Sequence, residues 1–249
     1  MEILNNILQK IELLIEKHKP ILSEDQKLRM YKIINPDIDD YIIHGVKISN
    51  IEKIAREIQE KVNPSYEIVL KVFKILTETN VEENKFVAFF LLNRYKNFFT
   101  TTLPELFRLE YFPYCHTWST CDSCCIRVLG PFLAKKGNMA LAQKTIDLWS
   151  RDNSLWIKRA SLVLLLKVIM VHRDFNKDYV FQKVEKMIKH SNENYIAKGI
   201  GWLLKTCSKY QPEIITQYLI DNRKRLSRLI LRYASEKLSK VQRELIMQK

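Results

Sequence analysis

The sequence predicts an all-α chain. Three observations carry that prediction: apolar residues recur at helical spacing in nearly every segment, no convincing strand pattern appears, and glycine is scarce. The chain has 5 glycines in 249 residues, where an ordinary protein has roughly 7%. Phosphate-cradling loops and tight hairpins need glycine at fixed positions. Only Gly199 and Gly201 stand close together, and no third glycine follows. A Rossmann fingerprint, a Walker loop and a hairpin-rich β-sandwich are therefore disfavoured together.

Each helix follows from its own pattern. Leu4, Ile7, Leu8, Ile11, Leu14 and Ile15 form one stripe, and Pro20 closes that helix. Ser23 with Gln26 makes a capping box for a second helix running to about Ile33. Ser49 with Glu52 makes another for a helix that ends before Asn63-Pro64, and residues 35–50 between them form the longest irregular stretch. Further helices are expected at roughly 65–79, 82–99, 117–135 with a kink at Pro131, 138–151, 154–172, 177–190, 194–209, 212–221 and 226–246. Helices of this length joined by short turns make either a bundle or an α-solenoid.

Internal repetition decides between the two. In LWIKRASLVLLLK (155–167) and YIAKGIGWLLK (195–205), Trp156, Arg159 and Ala160 align with Tyr195, Lys198 and Gly199 at an offset of 39 residues. That offset is near the period of HEAT-type pairs, and RLSRLILRYASEKL (225–238) reads as a shorter third unit. The predicted architecture is an α–α superhelix of about six HEAT-like antiparallel helix pairs, one continuous domain over residues 1–249.

Forty-one Lys and Arg against 28 Asp and Glu give a formal charge of +13 on a chain that is 47% hydrophobic. This is a globular protein with a basic surface, not a disordered basic tail. Lys158, Arg159, Lys198, Lys205, Arg223, Lys224, Arg225, Arg228 and Arg232 fall in the candidate inner helices or their leading turns, where they could track a phosphate backbone. The alternative is a solvated lysine-rich surface. The N-terminal segment is amphipathic throughout and has no signal-peptide pattern. The most apolar run, Leu162 to Val171, is interrupted by Lys167 and is about half a membrane span, so no membrane association is expected. Five cysteines, four of them within residues 115–125, make a poor disulfide framework and fit a reducing cytoplasm.

The densest chemistry lies in residues 111–132, YFPYCHTWSTCDSCCIRVLGPF. Trp118 and Asp122, four positions apart on a helix, share one face. Taken alone, the tryptophan reads as a core anchor and the aspartate as a helix-dipole partner. Cys121-x-x-Cys124 with Cys115, His116 and Cys125 invites a zinc reading, but three of these thiols lie within one helix and no second pair follows at finger-like spacing. They read as small buried residues. His18, His44, His172 and His190 have no partner motif, and Phe107, Tyr111, Phe112 and Tyr114 read as core packing before Trp118.

HTWSTCDSCC, LWIKRASLV, YIAKGIGWLLK and LSRLILRYASEKL occur in an order and spacing that resemble the DNA alkylation repair enzyme family, the AlkD-like alkylpurine DNA glycosylases built from HEAT-like repeats. The resemblance runs from about residue 40 to the end. It implies that Trp118 and Asp122 are the family's active-site tryptophan and aspartate, Arg159 the arginine of its W-x-x-R-A segment, and Trp202 the tryptophan of its I-G-W segment. It further implies a basic concave cleft, duplex DNA containing cationic alkylpurines such as 3-methyladenine and 7-methylguanine as the partner, no metal or organic cofactor, and a monomer. Lys158, Lys198 and Arg228 are further candidates for backbone contact. The chain departs from the family's pattern in two places. Ser119 stands where well-known members carry another aspartate, and Lys47, Ser49 and Glu52 follow Gly45-Val46 where an arginine-containing G-V-R-x-P segment is usual. A non-catalytic DNA-structure or damage binder is the other outcome that the sequence allows.

Overall fold

The computed structural model describes residues 2–248, and among these the secondary structure is helical apart from one isolated parallel bridge between Ile42 and Val81. The chain divides between Phe132 and Leu133 into two compact units. The first holds α1 (Glu2–His18), α2 (Glu24–Ile34), α3 (Ile48–Val62), α4 (Tyr66–Glu78), α5 (Glu82–Arg94), α6 (Leu103–Glu110) and α7 (Trp118–Cys124). A π turn over Cys125–Leu129 leads into α8 (Gly130–Leu133), where the units divide. The second unit holds α9 (Met139–Trp149), α10 (Leu155–His172), α11 (Lys177–Ile188), α12 (Asn194–Cys207), α13 (Pro212–Asp221), α14 (Arg228–Ala234) and α15 (Lys240–Met247).

In each unit a helix packs on the next but one. The first unit has the row α1, α3, α5, α7, backed by α4; the second has the row α10, α12, α14, flanked by α9, α11 and α13. This is the solenoid-like packing that the internal repeat predicted. The register of that repeat is also correct: Trp156 and Tyr195 are each the second residue of their helix, and their rings meet at 5.0 Å. No helix among the described residues is long and apolar enough to cross a membrane.

Most helix boundaries fall within a few residues of the sequence reading, and the differences have local causes. The Ser23–Gln26 capping box forms in both directions. The one expected at Ser49–Glu52 does not. α3 begins at Ile48, with Lys47 as its uncapped N-cap, and the Glu52 carboxylate instead accepts from Arg127 Nη1 at 3.2 Å. The helix expected over 82–99 ends at Arg94 and is followed by a short 3-10 turn. α6 had no counterpart in the sequence reading, although Pro104 in its first turn is an N-terminal signal. The long helix expected over 226–246 breaks into α14 and α15, the second started by a full Ser239–Gln242 capping box. Pro131 is accommodated by the π turn: Gly130 N–H donates to Cys125 O one residue beyond the α-helical register just before the proline, which has no N–H to give.

The core of the first unit is aromatic. Phe73, Phe89, Phe107, Tyr111 and Phe112 are all buried, with Phe89 and Tyr111 edge to face at 4.8 Å, so three of the four aromatics expected to pack before Trp118 are core, while Tyr114 is only half-buried. The row of the second unit depends on close helix approach. A Cβ built on Gly201 would lie 2.5 Å from Tyr233 Cβ, whereas one on Gly137 would meet nothing within 4 Å. We expect Gly201→Ala to cost ~1–3 kcal/mol through overpacking, and Gly137→Ala to be neutral or stabilising by up to ~1 kcal/mol. Urea midpoints of the two variants check both expectations.

Candidate active site

α7 begins in a web of hydroxyls and one buried carboxylate. Thr117 is its N-cap in extended backbone, its Oγ1 accepting from Thr120 N–H at 3.3 Å. The same hydroxyl donates to Glu82 Oε2 at 3.0 Å. Glu82 also accepts from the Tyr41 hydroxyl at 2.6 Å and from the Ser119 hydroxyl. Burial pushes the Glu82 carboxyl above the usual carboxylate range, and these donors pull it back only in part. The hydroxyl at position 119 is thus turned to Glu82, which defines what this chain does with the position where the family pattern has an acid.

Trp118 and Asp122 are the first and fifth residues of α7, one turn apart on one face as the spacing required. The Trp118 indole N–H donates to Ile33 O at the end of α2, 3.1 Å away, which fixes the ring while leaving the side chain half-buried. Asp122 is only 8% exposed. The loop before α7 is tied to the end of α2 as well, through Asp37 N–H to His116 O at 3.1 Å and His116 Nδ1 with Asp37 Oδ1 at 2.7 Å.

Glu83, the neighbour of Glu82, organises the loop between α2 and α3. Its carboxylate accepts the backbone N–H groups of His44 at 3.0 Å, Gly45 at 2.7 Å and Val46 at 3.1 Å. Gly45 has φ +81°, a left-handed conformation that places three consecutive donors around one anion. Lys85 completes this buried polar set by donating to Thr77 O at 2.6 Å and Thr79 O at 2.5 Å at the end of α4. Burial lowers its ammonium to about 8. Sequence reasoning passed over Tyr41, Glu82, Glu83 and Lys85. The signal was the run FVAFFLL (86–92), apolar on every side, which buries its helix all round and the charged first turn with it.

The remaining candidates lie in the second unit. Arg159 is 5% exposed, and its Nη1 donates to Tyr195 O at 2.5 Å. Gly199 lies against it: a Cβ there would sit 3.7 Å from Arg159 Nη1 and 3.0 Å from Leu162 Cδ1. Lys158 and Lys198 are half-buried near the starts of α10 and α12, and Lys158 Nζ donates to Asn153 O at 3.0 Å. Trp202 is half-buried on α12. Arg228, exposed at the start of α14, donates to Met247 O at 2.8 Å. The structure therefore places Arg159 and Lys198 in the first two turns of neighbouring helices, α10 and α12, of one row, and Trp118 and Asp122 one turn apart on α7 of the other.

The cysteines behave as small core residues. All five are free and buried, and among the described residues no group of three or more His, Cys, Asp or Glu is placed to hold a metal ion.

The sequence model of the DNA alkylation repair enzyme family matches residues 22–238. The chain belongs to the DNA alkylation repair enzyme family. A solved structure described as a predicted DNA alkylation repair enzyme from Enterococcus faecalis shares the fold of this family member. Its TM-score is 0.70 at 17% identity, over 88% of this chain and 97% of that one. No curated protein matches the chain. A DNA alkylation repair enzyme implies DNA as the partner.

Two predictions follow from the buried groups. Glu83→Ala removes the acceptor of three buried backbone donors, and is expected to cost ~3 kcal/mol or more in urea unfolding, with Glu83→Gln costing less because one acceptor oxygen remains. The second concerns alkali. Burial pushes all five thiols up, Cys124 to about 12, while an unfolded thiol titrates near ~8.5. Above that pH the unfolded chain loses protons that the folded chain keeps, so stability is complete below it and falls by ~1.4 kcal/mol per pH unit for each thiol. Lys85, lowered to about 8, works the other way up to its unfolded value and offsets only one thiol. Cys124→Ala should reduce the slope of stability between pH 9 and 11 by ~1.4 kcal/mol per unit, read from urea unfolding at several pH values.

Proposed function

We propose that this protein hydrolyses the N-glycosidic bond of cationic alkylated purines, such as 3-methyladenine and 7-methylguanine, in duplex DNA. The observation that carries the reading is the Trp118–Asp122 pair: an indole anchored through its N–H and a carboxylate with 8% exposure, on one turn of a helix whose N-cap is held from below by Glu82. A purine alkylated at N3 or N7 is already cationic and leaves neutral, so the leaving group needs no general acid. The demand falls on the deoxyribose, which gains positive charge as the bond lengthens. A fixed carboxylate in a low-dielectric setting stabilises that charge and orients the attacking water. The π face of Trp118 attracts a cationic nucleotide, and Trp202, in the second unit, offers a face of the same kind to DNA.

Arg159, in the second unit, is assigned a backbone phosphate, its guanidinium oriented by Tyr195 O. Lys158, Lys198 and Arg228 are assigned further backbone contacts, which position the duplex without reading its sequence. The five free cysteines support a reducing cytoplasm as the site of action. In this reading the protein acts as a monomer and as one domain over its whole length.

A second reading, a DNA-binding protein without excision, is favoured by one observation: Ser119 supplies a hydroxyl to Glu82 where the family pattern has a second acid. Release of 7-methylguanine and 3-methyladenine from methylated duplex DNA under single-turnover conditions separates the two. We expect release by the native protein and a loss of about 10²-fold or more in Asp122→Asn, the amount one electrostatic catalytic group is typically worth. DNA bound by both proteins with no base released by either would select the second reading.

A further inference from the structure

The second unit carries a cationic pocket that shares only Lys158 with the residues assigned above. It has a volume of about 400 Å³ and lies where the 150–153 turn, the first turn of α10 and the last turn of α11 converge. Arg151, Lys158, Lys186, Lys189 and His190 line it, with Asp152 as the one carboxylate. Asp152 Oδ1 is taken by the backbone N–H of Ser154, 2.8 Å away, at the start of α10. Asp147, on which Lys186 also acts, is held by Lys183 and by the Tyr179 hydroxyl at 3.0 Å.

Two features separate this cluster from an ordinary lysine-rich surface. Lysines in the last turn of α11 complement that helix's dipole, but Arg151 and Lys158 stand at the other kind of end. They flank the positive N-terminus of α10, an 18-residue helix, where cations are unfavourable and anions are welcome. Lys158 is held there by its bond to Asn153 O at 3.0 Å. His190 reports the same imbalance, because its imidazole is pushed below its ordinary range by burial and then by Lys158 and Lys189. Like charges gathered around a concave space at a helix N-terminus are stabilised by an anionic ligand.

We propose that this pocket binds a backbone phosphate of duplex DNA and anchors the second unit on the duplex. The inference rests on DNA being the partner of this family, and it adds Arg151, Lys186, Lys189 and His190 to the residues that touch it. Phosphate is the chemistry that fits, since Arg151 offers a planar fork, Lys158, Lys186 and Lys189 offer ammonium donors, and all of them line one concave space beside the N-terminus of α10.

The test uses the full chain with Lys186→Ala/Lys189→Ala. The control, Lys237→Ala/Lys240→Ala, removes the same charge from exposed positions of the same unit. Binding of an unmodified duplex is followed by fluorescence anisotropy over a range of salt, with thermal melting to confirm that both variants fold. We expect the pocket variant to bind about 10-fold more weakly near 100 mM salt and its salt slope to fall by about 1, the signature of one lost phosphate contact. The control should change by less than about 3-fold. Equal losses in the two variants, or no loss in either, would overturn the proposal.

Inorganic phosphate, titrated while the His190 imidazole is followed by NMR, separates the two sources of phosphate. A shift at low phosphate concentration together with unchanged duplex binding by the pocket variant would assign the pocket to a free anion and overturn the DNA assignment. A native protein that binds no duplex at all overturns the reading under Proposed function as well. Duplex bound equally by native protein and pocket variant overturns only the pocket.

Discussion

Glu82 and Glu83 open α5 side by side at 3% and 2% exposure. A carboxylate without hydrogen bonds in such a place costs several kcal/mol, so the pair stands only if each oxygen finds donors. Glu83 takes three backbone N–H groups from the 44–46 loop, and Glu82 takes hydroxyls from Tyr41, Thr117 and Ser119. One helical turn therefore fixes two distant pieces of chain. The loop that links α2 to α3 closes on Glu83, and the N-cap of α7 rests on Glu82. Since Trp118 follows that N-cap directly and Asp122 lies one turn on, the direction in which both side chains point is set from α5. A loss at Glu82 would first be felt as a change in where α7 starts, because the Thr117 hydroxyl serves the N-cap bond and Glu82 at once.

This division explains which parts of the structure were legible in the sequence. Helices declare themselves locally: apolar residues three and four apart, a Ser-x-x-Gln at Ser23, an asparagine at the left-handed end of α3. The register of the α10–α12 repeat could be read because the same side chains, Trp156 and Tyr195, meet in both sequence and space. The errors came from residues that chose a distant partner over a near one. Glu52 was expected to cap its own helix and went to Arg127, 75 positions away. Arg159, read as a phosphate contact, also has a distant partner that its own sequence segment does not show, Tyr195 O in the next helix of its row. Glu82 and Glu83 look like ordinary first-turn acids, and only the burial of α5 on all sides shows that they need partners 35 to 41 positions distant.

Close packing and polar pairing are linked in the second unit in the same way. Gly199 and Gly201 let α12 approach α10 and α14 so closely that a Cβ would meet Leu162 on one side and Tyr233 on the other. That approach is what brings Tyr195 O within reach of the Arg159 guanidinium. In the sequence the two glycines lack the third that a phosphate loop needs, and Gly199 falls in the helical repeat. Their use is the opposite of a flexible loop, since they sit inside a helix and accept the lower helix propensity of glycine in return for contact between backbones.

Position 119 shows how the site's chemistry and its scaffold constrain each other. Ser119 Oγ lies within hydrogen-bonding reach of Glu82 Oε1. An aspartate built on the same backbone would bring a second carboxylate toward a buried one, and two carboxylates at that separation do not both ionise. Retaining Glu82 as the support for the N-cap of α7 therefore favours a donor at 119, and serine is a small one. In the proposed reaction this leaves Asp122 as the acidic group that acts on the developing sugar cation. In that reaction the positive surface would serve a different purpose, since charge alone attracts damaged and undamaged DNA alike and adds uniform binding, whereas a short-range carboxylate acts only where charge develops. A single well-fixed acid is enough for a leaving group that departs as a neutral base.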